Sequence, residues 1–310
     1  MLAVAGTAEP TGLRIRAPAS WAVPAFVWGA WALMLAANLA LVAYGASSLP
    51  IGDEFFFVPY LVGEEPVTLD WLWAQHAEHR TPLAKLLWVG VLRLTGYDFR
   101  VGNYLSVLAT AAVALALVRA ARRLRGRTRL ADSFFPLALL TFGQAYAFLW
   151  FWVINQLLAP LAACGLLLIL LRKRIDFRTA ALAGVCMVLL SLSGPGGLPY
   201  VLAAALWLAS WLALRRKSPE PLGRWRAALV LGLAGVAVVL TGLYFVGYNQ
   251  DEGLGSAHAD LSGGRLGPAL KTGLQVLSVS LGSATRNAWP YWGLAIAALG
   301  LASMRVAATA

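Results

Sequence analysis

Charge is what this chain has least of. Asp, Glu, Lys and Arg together make up 13% of its 310 residues, whereas a soluble domain carries about a quarter. So small a polar complement cannot coat a water-soluble globule of this size, which excludes both the ordinary soluble enzyme and the disordered chain. Cysteine is nearly absent as well. Cys164 and Cys186 both lie in apolar runs, so they read as small core residues and argue against a disulfide framework. No strand pattern is visible and no Gly-rich phosphate loop follows one, which leaves nucleotide binding on a Rossmann-type domain without support.

What the chain has instead is apolar length, with 60% hydrophobic residues in stretches close to the ~20 that a spanning helix needs. The expectation is an all-α, polytopic transmembrane helix bundle forming one domain over 1–310. It has about eight spans, near 21–44, 98–118, 131–149, 152–171, 179–193, 198–214, 227–247 and 289–304. The first is too long for a signal-peptide core, and Ala43-Tyr44-Gly45-Ala46 puts a bulky Tyr where cleavage wants a small residue, so it reads as uncleaved.

The formal charge of +11 is distributed by topology. Arg14 and Arg16 precede the first span, and six arginines from Arg119 to Arg129 follow the second. Arg172, Lys173, Arg174 and Arg178 follow the fourth, and Arg215, Arg216, Lys217, Arg224 and Arg226 follow the sixth. These blocks alternate as one topology requires, and the positive-inside rule sets the N-terminus in the cytoplasm. The Arg-rich 119–129 segment reads as anchoring, and no nucleic-acid partner is expected. Seven of the 14 acidic residues (Asp53, Glu54, Glu64, Glu65, Asp70, Glu78 and Asp98) fall between spans one and two. The carboxylates thus gather on the extracytoplasmic face of a multi-pass cell-membrane protein.

The first outer loop, 45–97, does something other than cross. A helix beginning near Thr68 carries Leu69, Leu72, Trp73, His76 and Arg80 at helical spacing. Thr81 and Pro82 end it and start another, Leu83 to Thr95, with Thr81 as N-cap and Pro82 at the first helical position. At 1.5 Å per residue the second helix covers about 20 Å, short of the ~30 Å hydrocarbon core. Both are read as lying flat in the outer interface, among an aromatic belt of Phe55, Phe56, Phe57, Tyr60, Trp71 and Trp73. A second outer loop, 248–288, contains His258 and a further interfacial helix from Leu266.

The ionisable residues of the first loop suit a displacement at a sugar carbon with a phosphate leaving group. Asp53 and Glu54 sit at the outer end of span one, and a carboxylate pair at membrane depth costs free energy unless something uses it. His76, Glu78, His79 and Arg80 follow close together, with Lys85 beyond. One carboxylate takes the proton of an acceptor hydroxyl as general base. The departing phosphate is weakly basic and needs no acid, only cations such as His79, Arg80 and Lys85. The competing reading is a solvated helix end with a local Glu–Arg pair. His76-Ala77-Glu78-His79 lacks the spacing of a metalloprotease helix, and a monophosphate leaving group does not call for a metal, so no cofactor or metal is expected.

Gly52-Asp53-Glu54-Phe55 after the first span, followed by Gln75-His76-Ala77-Glu78-His79-Arg80-Thr81-Pro82-Leu83 before an interfacial helix, resembles the GT-C superfamily of polyprenyl-phosphate-sugar glycosyltransferases. That group includes protein O-mannosyltransferases and the aminoarabinose transferase acting on lipid A. The resemblance covers about 45–110. It implies a GT-C-like fold with Asp53 as base and Glu54 as its acidic neighbour. His76, Glu78, His79, Arg80 and Lys85 would lie on the lipid-phosphate donor side, with His79, Arg80 and Lys85 in contact with the phosphate. The partners implied are a polyprenyl-phosphate-linked sugar and membrane lipid, with the acceptor open.

Two other classes compete. A transporter or flippase of a lipid-linked or small polar solute fits the apolar bulk, although most spans lack the charges that ion-coupled carriers keep, and the halves show no inverted repeat. A non-catalytic membrane subunit of a cell-envelope complex would make the loop cluster a coincidence. Further along, Gln144, Asn155 and Gln156 sit near the outer ends of spans three and four, where they line a cavity or bond neighbouring helices. Ser193-Gly194-Pro195-Gly196-Gly197 reads as a sharp outer turn whose backbone N–H groups could meet a ligand.

Overall fold

A computed structural model of the protein describes residues 21–77, 79–172, 176–216, 223–249, 266–279 and 287–298. Every regular element among them is helical. Five segments are long and apolar enough to cross a membrane: Ala22–Gly45, Phe99–Arg125, Phe151–Leu170, Pro195–Leu214 and Arg224–Tyr244. A shorter apolar helix, Phe177–Leu192, joins them. The chain therefore has the make-up of a multi-pass membrane protein.

In chain order the helices are α1 (Ala22–Gly45), α2 (Val58–Val62), α3 (Leu69–Trp73), α4 (Pro82–Leu94) and α5 (Phe99–Arg125). They continue with α6 (Phe134–Leu139), α7 (Ala145–Leu149), α8 (Ile154–Leu170), α9 (Phe177–Leu192), α10 (Leu198–Arg216), α11 (Arg224–Tyr244) and α12 (Leu266–Val279). Local chemistry sets their ends. The Asp98 carboxylate accepts from the Arg100 amide to start α5, Gly126 at φ +73 ends it, and Asp176 accepts from Thr179 N at 2.8 Å to start α9. Residues 289–298 are also helical, and the rest of the expected last span lies outside the described residues. So do Arg14, Arg16 and His258.

The third expected span, 131–149, is not one helix. It runs as a 3-10 turn, α6, a second 3-10 turn at Phe142–Gln144, and α7. Two residues break it: Thr141 turns its hydroxyl onto the Gly143 amide, and Gly143 is a poor helix former. Apolar periodicity does not register such a break, because residues 137–140, Phe142 and 145–149 keep the segment predominantly apolar on both sides of it. The segment still travels the length of its neighbours. It begins at Asp132, paired with Arg125 at the end of α5, and ends at Leu149, whose carbonyl accepts from Asn103 near the start of α5. The Leu140 carbonyl released at the break accepts from Asn38 Nδ2 of α1 at 2.8 Å, which answers the demand that buried backbone groups find partners.

Two ends of the bundle result. At the basic end lie Arg125 with Asp132, and Arg226 over the Phe177 ring at 5.3 Å. α9 and α11 run parallel away from it, bonded near the far end of α9 by Ser191 Oγ to the Ala237 carbonyl. At the opposite end gather the 46–98 loop, the start of α8, the 194–197 turn and the end of α11. Glu54, Arg80 and Gln75 each bond across these segments. The carboxylate-rich loop and the arginine blocks thus sit at opposite ends.

Candidate functional site

The site starts where α1 runs out. Gly52–Phe57 forms a 3-10 turn carrying Asp53 and Glu54. Gly52 holds φ +56, and a Cβ there would stand 2.9 Å from the Trp150 ring, so the turn needs glycine at that place.

The two adjacent carboxylates have different surroundings. Glu54 is buried. Its Oε2 accepts from Ile51 N at 2.9 Å and its Oε1 from Trp152 N at 3.0 Å, which ties the first loop to the start of the α8 crossing. Burial pushes its pKa above the ordinary carboxylate value, opposed by the amides of Ile51, Trp152 and Phe151. Asp53 is half-buried, makes no hydrogen bond or ion pair among the described residues, and lies within electrostatic range of Tyr146 on α7.

A raised folded pKa means that the native state binds the Glu54 proton more tightly than the unfolded chain does. The resulting stabilisation is present in full below the unfolded value of 4.5 and is lost as pH rises through the folded one. The melting temperature in detergent should accordingly fall across that window in the wild type. Glu54→Gln, which cannot titrate, should flatten that part of the profile. An unchanged profile in the variant would assign the slope to another group.

The helix expected from Thr68 to Arg80 is shorter than its pattern suggests. Thr68 does cap it, accepting from Trp71 N at 3.1 Å, but α3 ends at Trp73. His76 and His79 then exchange both backbone hydrogen bonds, at 2.8 and 3.0 Å, across a tight turn with Ala77 at φ +48. The two histidines therefore do not share a helix face. The His76 ring packs edge-on to Phe56 and Trp152, with centroids 5.1 and 4.8 Å away. Glu78 lies outside the described residues. The next helix begins with Thr81 at its N-cap and Pro82 at its first position, and it runs 13 residues, Pro82–Leu94.

Gln75 and Arg80 clasp this turn onto the end of α11. Gln75 Nε2 donates to the Asn249 carbonyl at 2.6 Å, and Asn249 N donates back to Gln75 Oε1 at 3.0 Å. Arg80 is buried, and its guanidinium donates to the carbonyls of Val246 and Gly247 at 2.8 Å each and of Leu243 at 3.4 Å. Lys85 is buried as well. Its Nζ donates to the carbonyls of Trp71 and Ala74 at 2.7 Å and lies 5.2 Å from the Trp71 ring centroid, and burial pulls its pKa down to about 8. Both cations thus sit on helix C-terminal carbonyls, where aligned backbone dipoles favour positive charge.

Beside the turn is a cavity of about 210 Å³ between His79 and Thr81 of the loop, Asn155 and Gln156 of α8, the 193–197 turn and Tyr200 of α10. Arg80 and Lys85 are not among its walls. A larger cavity, about 830 Å³, opens at the basic end between α5 and α8 beside Arg119, Arg123 and Arg172. It lies away from the carboxylates. Among the described residues no three His, Cys, Asp or Glu side chains gather closely enough to hold a metal ion.

Asn155 and Gln156 are legible in the sequence as amides inside an apolar span. Tyr200 carries no such signal. Gly194 is a backbone requirement: it holds φ +99, and a Cβ there would stand 3.2 Å from Thr81 Cγ2.

No protein-family model matches the chain, and no curated protein or solved structure matches it either.

Proposed function

We propose that this protein is a membrane glycosyltransferase that moves a sugar from a polyprenyl-phosphate donor to an acceptor at the loop end of the bundle, on the extracytoplasmic face. The observation that carries the reading is the contrast between two neighbouring carboxylates. Glu54 is occupied with the amides of Ile51 and Trp152, while Asp53, one residue earlier on the same rigid turn, has no hydrogen-bond or ion-pair partner among the described residues. A base must keep an open lone pair within reach of the proton it takes.

In this mechanism Asp53 removes the acceptor hydroxyl proton as that oxygen attacks the anomeric carbon. The bond from that carbon to the phosphate oxygen breaks, its electron pair leaves with the polyprenyl phosphate, and the anomeric configuration inverts. Glu54 fixes the turn. Arg80 and Lys85 are buried without a carboxylate partner among the described residues, so they lend the loop end a fixed positive potential that favours a phosphate. His79, on the cavity wall, is the group placed to meet it. The resemblance of Gly52–Phe55 and Gln75–Leu83 to the GT-C transferases supports the same reading.

A carrier or flippase is the second reading, and one observation favours it: the crossing at 130–149 is interrupted midway, as substrate-binding spans of carriers often are. The carbonyl freed at that break is already taken by Asn38, which weighs against a substrate there. The orientation has its own test. Cysteines introduced at Glu64 and Gly126 should react with an impermeant thiol reagent from opposite sides of the membrane, Glu64 from outside. Reaction of both from one side contradicts the placement of the active face.

A further inference from the structure

The cavity beside the turn contains a polar group that the fold itself leaves unsatisfied. Asn155 is 4% exposed, and neither its Nδ2 nor its Oδ1 has a hydrogen-bond partner among the described residues. A buried carboxamide with both ends unmet is costly, and in native proteins such groups are generally satisfied by something bound. Five residues on, Pro160 has no N–H to give the Gln156 carbonyl, so that acceptor lacks its regular helical donor. The other polar residues of the lining are His79, Thr81, Gln156, Ser193 and Tyr200.

We infer that this cavity binds the neutral ring of a sugar, with Asn155 as its central hydrogen-bonding residue. The ligand choice rests on the transferase reading, and three features of the cavity support it. Among the described residues its wall carries no ionisable side chain besides His79 and the Tyr200 phenol, so it suits a neutral group better than a phosphate. A carboxamide presents two donors and an acceptor side by side, the complement of neighbouring hydroxyls that each donate and accept. Ala159, Pro160 and Pro195 supply apolar surface for the C–H face of a ring. The volume of about 210 Å³ is room for about seven waters at ~30 Å³ each, the bulk of one sugar ring.

The cavity also has a structural link to the base. Glu54, the neighbour of Asp53, is bonded to Trp152, three residues before Asn155. A ring seated on Asn155 would therefore be held by the segment that fixes the carboxylate turn.

The test measures binding apart from turnover. Purified full-length protein is titrated with methyl mannoside, methyl glucoside, methyl galactoside and methyl arabinoside, reading saturation-transfer NMR and the melting temperature. At least one glycoside should give saturation transfer and raise the melting point. Asn155→Leu, which keeps the branched heavy-atom shape and is apolar, should bind that glycoside about tenfold or more weakly, yet melt without sugar near or above the wild-type temperature because two unmet polar atoms are gone. Tyr200→Phe should weaken binding by a smaller factor, about threefold.

No glycoside effect on the wild type would mean that the cavity holds water only and would overturn the proposal. So would unchanged affinity in Asn155→Leu. Should Asn155→Leu fail to insert, Tyr200→Phe decides, and wild-type affinity there overturns it. Binding without any transfer would contradict the transferase alone, and transfer without glycoside binding would contradict the cavity assignment alone.

Discussion

Asp53→Asn should insert and melt like the wild type and transfer sugar about 100-fold more slowly or worse, the loss expected when a general base is removed. The substitution keeps shape and hydrogen-bonding reach and deletes only the proton acceptor. Its neutrality for folding follows from the structure, since Asp53 makes no hydrogen bond or ion pair among the described residues. Glu54→Gln is the informative companion. Glu54 accepts from Ile51 N and Trp152 N, and an amide side chain can serve only one of these through its oxygen. That variant should lose stability while its folded fraction remains active. A dead, well-folded Glu54→Gln beside a normal Asp53→Asn would exchange the two roles. Full activity in both would remove the carboxylates from the chemistry.

Arg80→Ala should produce the largest loss of stability, about 2–4 kcal/mol, because three carbonyls at the end of α11 lose a charged donor at once. The same change loosens the 75–80 turn from the 243–249 segment, where the Gln75–Asn249 pair and the long bond from the Arg80 backbone N–H to the Tyr244 hydroxyl remain. The expected signature is a lower melting temperature with new protease cleavage near residue 77. Arg80→Lys keeps the charge and one of the carbonyl contacts and should recover part of the loss. In the folded fraction of Arg80→Lys, which keeps the charge, the KM for donor should change little, since the guanidinium faces backbone carbonyls and not the cavity. In Arg80→Ala the lost potential should raise it only modestly. A rise in donor KM at wild-type stability would instead place Arg80 on the phosphate.

How much of this was legible in the sequence depends on how far apart the determining groups lie. Local signals held: Thr68 caps α3, Thr81 and Pro82 open α4, and Ala22–Gly45 is one long apolar helix. The pattern misled where periodicity continued past a break. At 131–149 the segment stays predominantly apolar on both sides of Thr141 and Gly143, and at 69–80 the helical spacing runs on into His76 and Arg80 although the chain turns sharply at Ala77. Asp53 and Glu54 stand out as a pair, but what separates them is an amide 98 positions away. Arg80 and Lys85 read as cations beside a phosphate until their carbonyl partners are seen, and for Arg80 these lie more than 160 residues further along the chain. Such pairings follow from tertiary packing, which no single stretch of sequence encodes.

The most direct measurement is single-turnover chemistry in sealed proteoliposomes carrying a polyprenyl-phosphate sugar labelled in the sugar, with soluble and lipid acceptors supplied outside. The transferase reading predicts that label leaves the polyprenyl carrier and appears in a new glycoside of inverted configuration. One polyprenyl phosphate should be released per sugar moved, and Asp53→Asn should slow both about 100-fold or more. Label that stays on its lipid, or that crosses the bilayer still attached to it, would contradict the transferase, and the crossing would establish the carrier in its place.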